Sequence, residues 1–167
     1  DRQRGFIHHQ DRELVAGFSA AGCRTVDLGV VPTPAVSYLA SRLGALAGVT
    51  VSARHNPAEF NGIKFFLGSG AKMPESLEAE VEALVARSVG RAPAPSRKGG
   101  RLPSGGVGPL PDDGRGLVER YRDFLRSVFP AHLDLSGMRI VADCAHGAAA
   151  DIAPAILEGL GAQVVRI

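Results

Sequence analysis

A dominant charge of one sign is missing. Lysine and arginine number 19 and aspartate and glutamate 17, which leaves a formal net charge of +2. No general attraction to nucleic acid follows from that balance, although a cleft can be locally basic and a small anionic substrate is compatible with it. Cysteine is almost missing as well. Cys23 and Cys144 stand far apart and in different expected elements, so they form neither a metal-ligand spacing nor a disulfide framework. A reducing, cytoplasmic setting is the expectation. No apolar run approaches the about 20 residues that span a bilayer, and the polar start Asp1-Arg2-Gln3-Arg4 is no signal peptide, so neither a membrane partner nor export is expected.

What is present suits a folded domain. The 167 residues fit one domain or slightly more, and a hydrophobic content of 45% can bury a real core. Helical spacing of Leu14, Val15 and Phe18 predicts a helix over 10–21, with Gly22 at the place of a left-handed cap. A strand is expected at Thr25–Leu28. Thr33 and Pro34 supply an N-cap and a first-turn proline, and Val36, Leu39, Ala40 and Leu43 form one apolar stripe before Gly44.

Strands are expected at 47–52 and 63–67, and Gly68-Ser69-Gly70 supplies a tight reversal after the second. Pro74–Arg87 opens on proline and acids, ends on arginine, and spaces Leu77, Val81, Leu84 and Val85 as a helix face that should cover one side of a sheet. Between Ser88 and Gly116 the periodicity vanishes among prolines, glycines and basic residues, as in a surface linker. Arg91, Arg97, Lys98 and Arg101 there have no aromatic residues interleaved, which favours a solvated connector over a nucleic-acid site. Helicity returns with Leu117, Tyr121, Phe124, Leu125 and Val128. A strand at 138–142, a helix at 149–160 and a strand at 163–167 then form a β-α-β unit. Alternating strands and helices define an α/β fold, and crossovers of this kind favour parallel pairing.

One segment carries chemistry. The apolar stretch Leu46–Val51 reads as a buried strand that ends in a turn bearing Arg54, His55 and Asn56, and a second β-like run from Ile63 holds Lys64. A cation, an imidazole, an amide and an amine thus converge on one turn. The run Val51-Ser52-Ala53-Arg54-His55-Asn56-Pro57, continued by Asn61-Gly62-Ile63-Lys64-Phe65-Phe66, resembles the active-site loop of the α-D-phosphohexomutases. In that family the pattern is Ser-Ala-Ser-His-Asn-Pro followed by Asn-Gly-Ile-Lys-Phe-Phe. Pro32-Thr33-Pro34-Ala35-Val36-Ser37-Tyr38-Leu39 resembles the helix-opening motif upstream of it, and Val141-Ala142-Asp143-Cys144-Ala145-His146-Gly147-Ala148 the strand and turn that open the second domain. Ile63-Lys64-Phe65-Phe66 and Asp143-Cys144-Ala145-His146-Gly147 are more similar to the members acting on glucosamine phosphates than to those acting on mannose phosphates.

The resemblance implies an α/β architecture with a mixed or parallel sheet flanked by helices. It places the family's first domain at 1–112, N-terminally incomplete and including the linker, and the opening β-α-β unit of a second similar domain at 113–167. It implies four domains in a complete enzyme, whose metal loop, sugar-selecting loop and phosphate-binding loop lie outside this sequence. The implied partner is a hexose or hexosamine phosphate, and the implied cofactor of the parent family is Mg2+, not expected to bind well here.

The family's second serine carries the transferred phosphoryl group, and Arg54 occupies its position. A guanidinium has no hydroxyl, stays protonated at physiological pH and would repel a divalent metal, but its planar fork can grip two phosphate oxygens. A chance lesion, one base change from a serine codon, stands beside that adapted role. Ser52 mainly closes hydrogen bonds around the turn, since the family has a residue there in addition to its nucleophile. His55 either orients a loop phosphate or bonds to backbone. Lys64 matches the family's general acid or base near the sugar hydroxyl, the alternative being a strand lysine that points to solvent. Asn56 and Asn61 shape the turn or touch substrate. Asp143-Cys144-Ala145-His146 reads as a structural turn rather than a metal site. Three functions stay open: a glucosamine-phosphate mutase that has lost its nucleophile, a glucose- or mannose-phosphate mutase, and a non-catalytic phosphosugar-binding remnant.

Overall fold

A computed structural model describes residues 12–52, 62–88 and 114–167. By contacts these fall into two compact units, one drawn from Asp1–Thr25 and Ala40–Leu110, the other from Val26–Leu39 and Pro111–Ile167. The described elements are helix α1 at 12–20, α2 Thr33–Leu43, strands β1 Ala47–Ser52 and β2 Gly62–Leu67, α3 Glu75–Ser88, α4 Gly114–Ser127, β3 Arg139–Ala142, α5 Ala153–Gly159 and β4 Gln163–Arg166. The chain is α/β.

In the first unit, α1 ends as its glycine dictates. Gly22 takes φ +82°, its N–H donates to the Ser19 carbonyl at 2.9 Å, and the Cys23 N–H donates to the Phe18 carbonyl at 2.9 Å. These are the two bonds of a Schellman cap, and Gly44 repeats them after α2 through the Ser41 and Ala40 carbonyls. β1 and β2 pair antiparallel in the register Ala47↔Leu67 to Ser52↔Gly62. This antiparallel ladder and the parallel β3–β4 pair together give the mixed pairing that was expected. Residues 53–61 link the strands, and nine residues are too few for a parallel crossover, which takes a dozen or more. The reversal at Gly68–Gly70 forms as expected: the Leu67 N–H donates to the Ala71 carbonyl at 2.8 Å and the Met73 N–H to the Phe65 carbonyl at 3.0 Å. Helix α3 follows, but it buries no residue, and Leu77, Leu84 and Val85 are exposed. Among the described residues its expected role as a sheet cover is not met.

In the second unit the core lies between helices. Ala35, Val36 and Leu39 of α2, Leu117 and Tyr121 of α4, and Ile152, Pro154, Ile156 and Ala162 are buried. Leu117, Tyr121 and Phe124 recur at i, i+4 and i+7 on α4, the spacing that aligns side chains along one face. Tyr38 stacks on Phe124 with ring centroids 4.1 Å apart and lies 5.7 Å from the Tyr121 ring. β3 and β4 pair parallel, with α5 between them in the chain, so the expected β-α-β unit is present.

Three boundaries differ from the sequence-based expectation. Residues 25–28 form no strand: no described strand lies beside them to supply a ladder, and the Asp27 carboxylate turns the chain by accepting the Gly29 N–H at 2.8 Å, with Gly29 at φ +67°. Residues 114–116 belong to α4 rather than to the linker, because Gly114 lets the helix start against the Asp27 carbonyl, where a Cβ would overlap the oxygen. The helix expected at 149–160 is confined to Ala153–Gly159, with Pro154 in its first turn and turns filling 145–152. Among the described residues no helix is long and apolar enough to cross a membrane.

Candidate functional site

The frame of the site is the β1–β2 ladder. Among the described residues its last register pair is Ser52↔Gly62, so residues 53–61 join neighbouring positions of the sheet. Arg54, His55, Asn56 and Asn61 lie in that connection, outside the described residues. Lys64 is described. It sits in β2 opposite Thr50, half-buried, two residues from the end of the ladder.

Pairing fixes which side chains share a face. Opposed residues of an antiparallel pair project to the same side and alternate along each strand, which puts Thr50, Ser52 and Lys64 on one face and Val51, Ile63 and Phe65 on the other. Ser52 and Lys64 are diagonal neighbours, about 7–8 Å apart at their Cα atoms in such a lattice. The hydroxyl that ends β1 and the amine of β2 therefore flank one mouth of the connection. Ile63, on the opposite face, is 50% exposed.

A second sharp turn follows β3. The Asp143 carboxylate accepts the Ala145 N–H at 2.9 Å, and the Gly147 N–H donates to the Cys144 carbonyl at 2.7 Å. Between them Ala145 and His146 both adopt left-handed backbone, at φ 46° and 51°. Two successive non-glycine residues there cost on the order of 1 kcal/mol each, offset in part by the Asx bond from Asp143. This turn stands at the carboxyl end of a parallel strand, the end at which open α/β sheets hold ligands. The turn expected at Asp143-Cys144-Ala145-His146 is present, whereas its left-handed pair has no sequence signal, since neither residue is glycine.

For Mg2+, the described residues assemble no group of three or more His, Cys, Asp and Glu side chains able to hold a metal ion. They do not fit the cofactor by themselves. Cys23 and Cys144 are free thiols, both half-buried. Elsewhere burial holds the Tyr121 phenol above its ordinary range. Asp134 is held below the usual carboxylate range by its hydrogen bonds with Ser136, whose backbone N–H donates to Oδ1 at 2.8 Å.

Comparison with known proteins agrees with this frame. Residues 4–90 match the family model for phosphoglucomutase/phosphomannomutase, alpha/beta/alpha domain I. Phosphoglucosamine mutase of Herminiimonas arsenicoxydans is 50% identical over 154 residues, which cover 92% of this chain and 32% of that protein. The same-named proteins of Thiobacillus denitrificans and Burkholderia thailandensis are each 47% identical over 92% of this chain and cover 31% and 32% of their own lengths. The chain thus spans about a third of the curated relatives that it matches. With the motif-bearing strands in register at Ser52↔Gly62 and more than half of the sequence under the family model, the chain belongs to the phosphoglucomutase/phosphomannomutase family.

Proposed function

We propose that this chain is a third of a phosphoglucosamine mutase-type phosphotransferase, carrying the corner where glucosamine 6-phosphate and glucosamine 1-phosphate would interconvert, with its phosphoryl donor replaced. The observation that supports it most is the combination of relatives bearing that name at 47–50% identity with the retained Lys64 strand beside an altered residue 54. We place the family's first domain at 1–112 and the opening of a second at 113–167. The setting is cytoplasmic, and the partner is a hexosamine phosphate.

The chemistry follows from the residues. In the family a phosphoserine gives its phosphoryl group to a sugar monophosphate and recovers the other phosphate from the resulting bisphosphate. Such transfer depends on positioning and on neutralising charge at the transferring oxygens. Lys64, projecting from a paired strand, can move a proton at the sugar hydroxyl, and His55 can orient the phosphate. Asn56 and Asn61 shape the turn. Arg54 has no oxygen to phosphorylate, so the family's donor is lost and isomerisation stops. Mg2+ would supply charge neutralisation in the parent family.

The test is a chimera in which this chain replaces the matched stretch of the Herminiimonas relative. The Arg54 chimera should neither accept a phosphoryl group nor interconvert the glucosamine phosphates, and Arg54→Ser should restore both, read by intact mass and by phosphorus NMR. An Arg54→Ser chimera that is folded yet neither phosphorylated nor active would refute the proposal. Arg54 also favours a second reading, a non-catalytic phosphosugar holder, because its fork suits a phosphate. Calorimetry of the unaltered chain with glucosamine 6-phosphate should then give saturable heat that Arg54→Ala removes. Absence of heat would leave only the broken transfer site.

A further inference from the structure

We propose that Ser52 is a positioning residue for Lys64: its hydroxyl accepts a hydrogen bond from the Lys64 amine and holds that amine at the Ser52↔Gly62 end of the ladder. The inference rests on the proton-moving role proposed above for Lys64 and deepens it. It starts from the order of residues on one face of the β1–β2 ladder, where the opposed pairs run Gly48↔Phe66, Thr50↔Lys64 and Ser52↔Gly62. Lys64 stands in the middle, with Phe66 and Gly62 on either side of it along its own strand. Toward Phe66 the face is filled, since Gly48 is buried although it carries no side chain of its own. Toward Gly62 it is bare. Gly62 is exposed, and a Cβ placed there would meet, among the described atoms, the Ser52 carbonyl oxygen at 3.4 Å.

A long side chain can therefore lie across the vacant place of Gly62 and end beside Ser52. Diagonal neighbours in an antiparallel lattice are about 7–8 Å apart at their Cα atoms, a span that long side chains bridge. Thr50, directly opposite Lys64, lies beside the stem rather than at its tip. Ser52 and Lys64 are both half-buried, so a bond between them is partly shielded from water. An ammonium has three donors and no acceptor, and a hydroxyl offers two lone pairs, so the charged amine donates to Ser52. Once the amine has given up its proton, the hydroxyl can rotate and donate to it. The pairing thus survives both halves of a proton transfer. Without such a partner the flexible stem of a lysine lets its amine wander, and a general acid or base works only within hydrogen-bond reach of the proton that it moves.

The sequence has three lysines, Lys64, Lys72 and Lys98, so the amine can be followed in the full 167-residue chain labelled with nitrogen-15. NMR of the ammonium groups reads how fast their protons exchange with water, and Lys64→Arg identifies the Lys64 signal. Ser52→Ala should speed that exchange by at least about threefold, the loss of one charge-assisted hydrogen bond at a half-buried site. Ser52→Thr, which keeps the hydroxyl, and Thr50→Val should leave it near that of the unaltered chain. Gly62→Ala, whose methyl enters the lane while the hydroxyl stays, should speed it too and decides the matter if Ser52→Ala does not fold, as checked by circular dichroism. Lys72, paired with Glu78 at 3.3 Å, is the internal reference. Unchanged exchange in Ser52→Ala, or equal speeding by Ser52→Thr or Thr50→Val, overturns the proposal. In the Arg54→Ser chimera, Ser52→Ala should lower kcat at least about tenfold with little change in KM, and Ser52→Thr should keep kcat. A kcat indifferent to Ser52→Ala overturns the proposal as well. An inactive Arg54→Ser chimera refutes the transfer reading alone, and the ammonium exchange still decides this one.

Discussion

Removing the side chain of Leu117 is the sharpest test of where the second unit is held together. Leu117 is 0% exposed and leads the Leu117, Tyr121, Phe124 face of α4. Leu117→Ala deletes buried methyl groups and leaves a cavity, and such changes cost about 2–5 kcal/mol. Alanine is also the better helix former, but that returns only a few tenths of a kcal/mol at most. A unit of about 70 residues has a total stability of about 4–10 kcal/mol, so the change removes a large fraction of it. Both tyrosines of the sequence, Tyr38 and Tyr121, belong to this unit, and there is no tryptophan, so near-ultraviolet dichroism of tyrosine in a urea titration reports on this unit selectively. The midpoint should move to clearly lower urea in Leu117→Ala. Leu84→Ala, at a 56% exposed position of the other unit, should stay within about 0.5 kcal/mol of the unaltered chain. If the tyrosine midpoint of Leu117→Ala matches that of Leu84→Ala, the helix-centred core described above is wrong.

Two further outcomes follow from particular atoms. Gly114→Ala should destabilise the second unit by about 1–3 kcal/mol, since its Cβ meets the Asp27 backbone carbonyl rather than a side chain that can swing away; an unchanged tyrosine midpoint would show that the close approach is not made. Tyr121 has its pKa raised by burial, so the folded state holds its phenol proton more tightly than the unfolded state does. Stability is then fully present below the unfolded value of about 10 and falls as pH rises from there through the folded pKa, a decline that a thermal series above pH 10 should show and Tyr121→Phe should lessen. An identical alkaline decline in Tyr121→Phe would place its cause elsewhere.

Local signals were legible and neighbour-dependent ones were not. Gly22 and Gly44 announced their caps because only a residue without Cβ enters left-handed backbone freely, and Thr33-Pro34 announced the start of α2. β1 was readable to the residue, from an uncharged run ending at Ser52. Residues 25–28 have the composition of a strand, yet strand formation needs a partner that no local pattern encodes. The apolar stripe of α3 was likewise visible in sequence, whereas what it would cover was not. At the candidate site the motif letters gave Lys64 and its strand. The turn at 143–146 was legible too, but its left-handed Ala145–His146 pair has no local signal, since that conformation is set by the bonds of Asp143 and Gly147.

Among the described residues the β1–β2 ladder runs to Ser52 and Gly62 through main-chain groups, which any side chain can supply. Natural selection acting on foldability alone would leave those six pairs tolerant of many sequences of the same alternation. A strand pair aligned in this way is a scaffold whose register does not hang on the chemistry carried nearby.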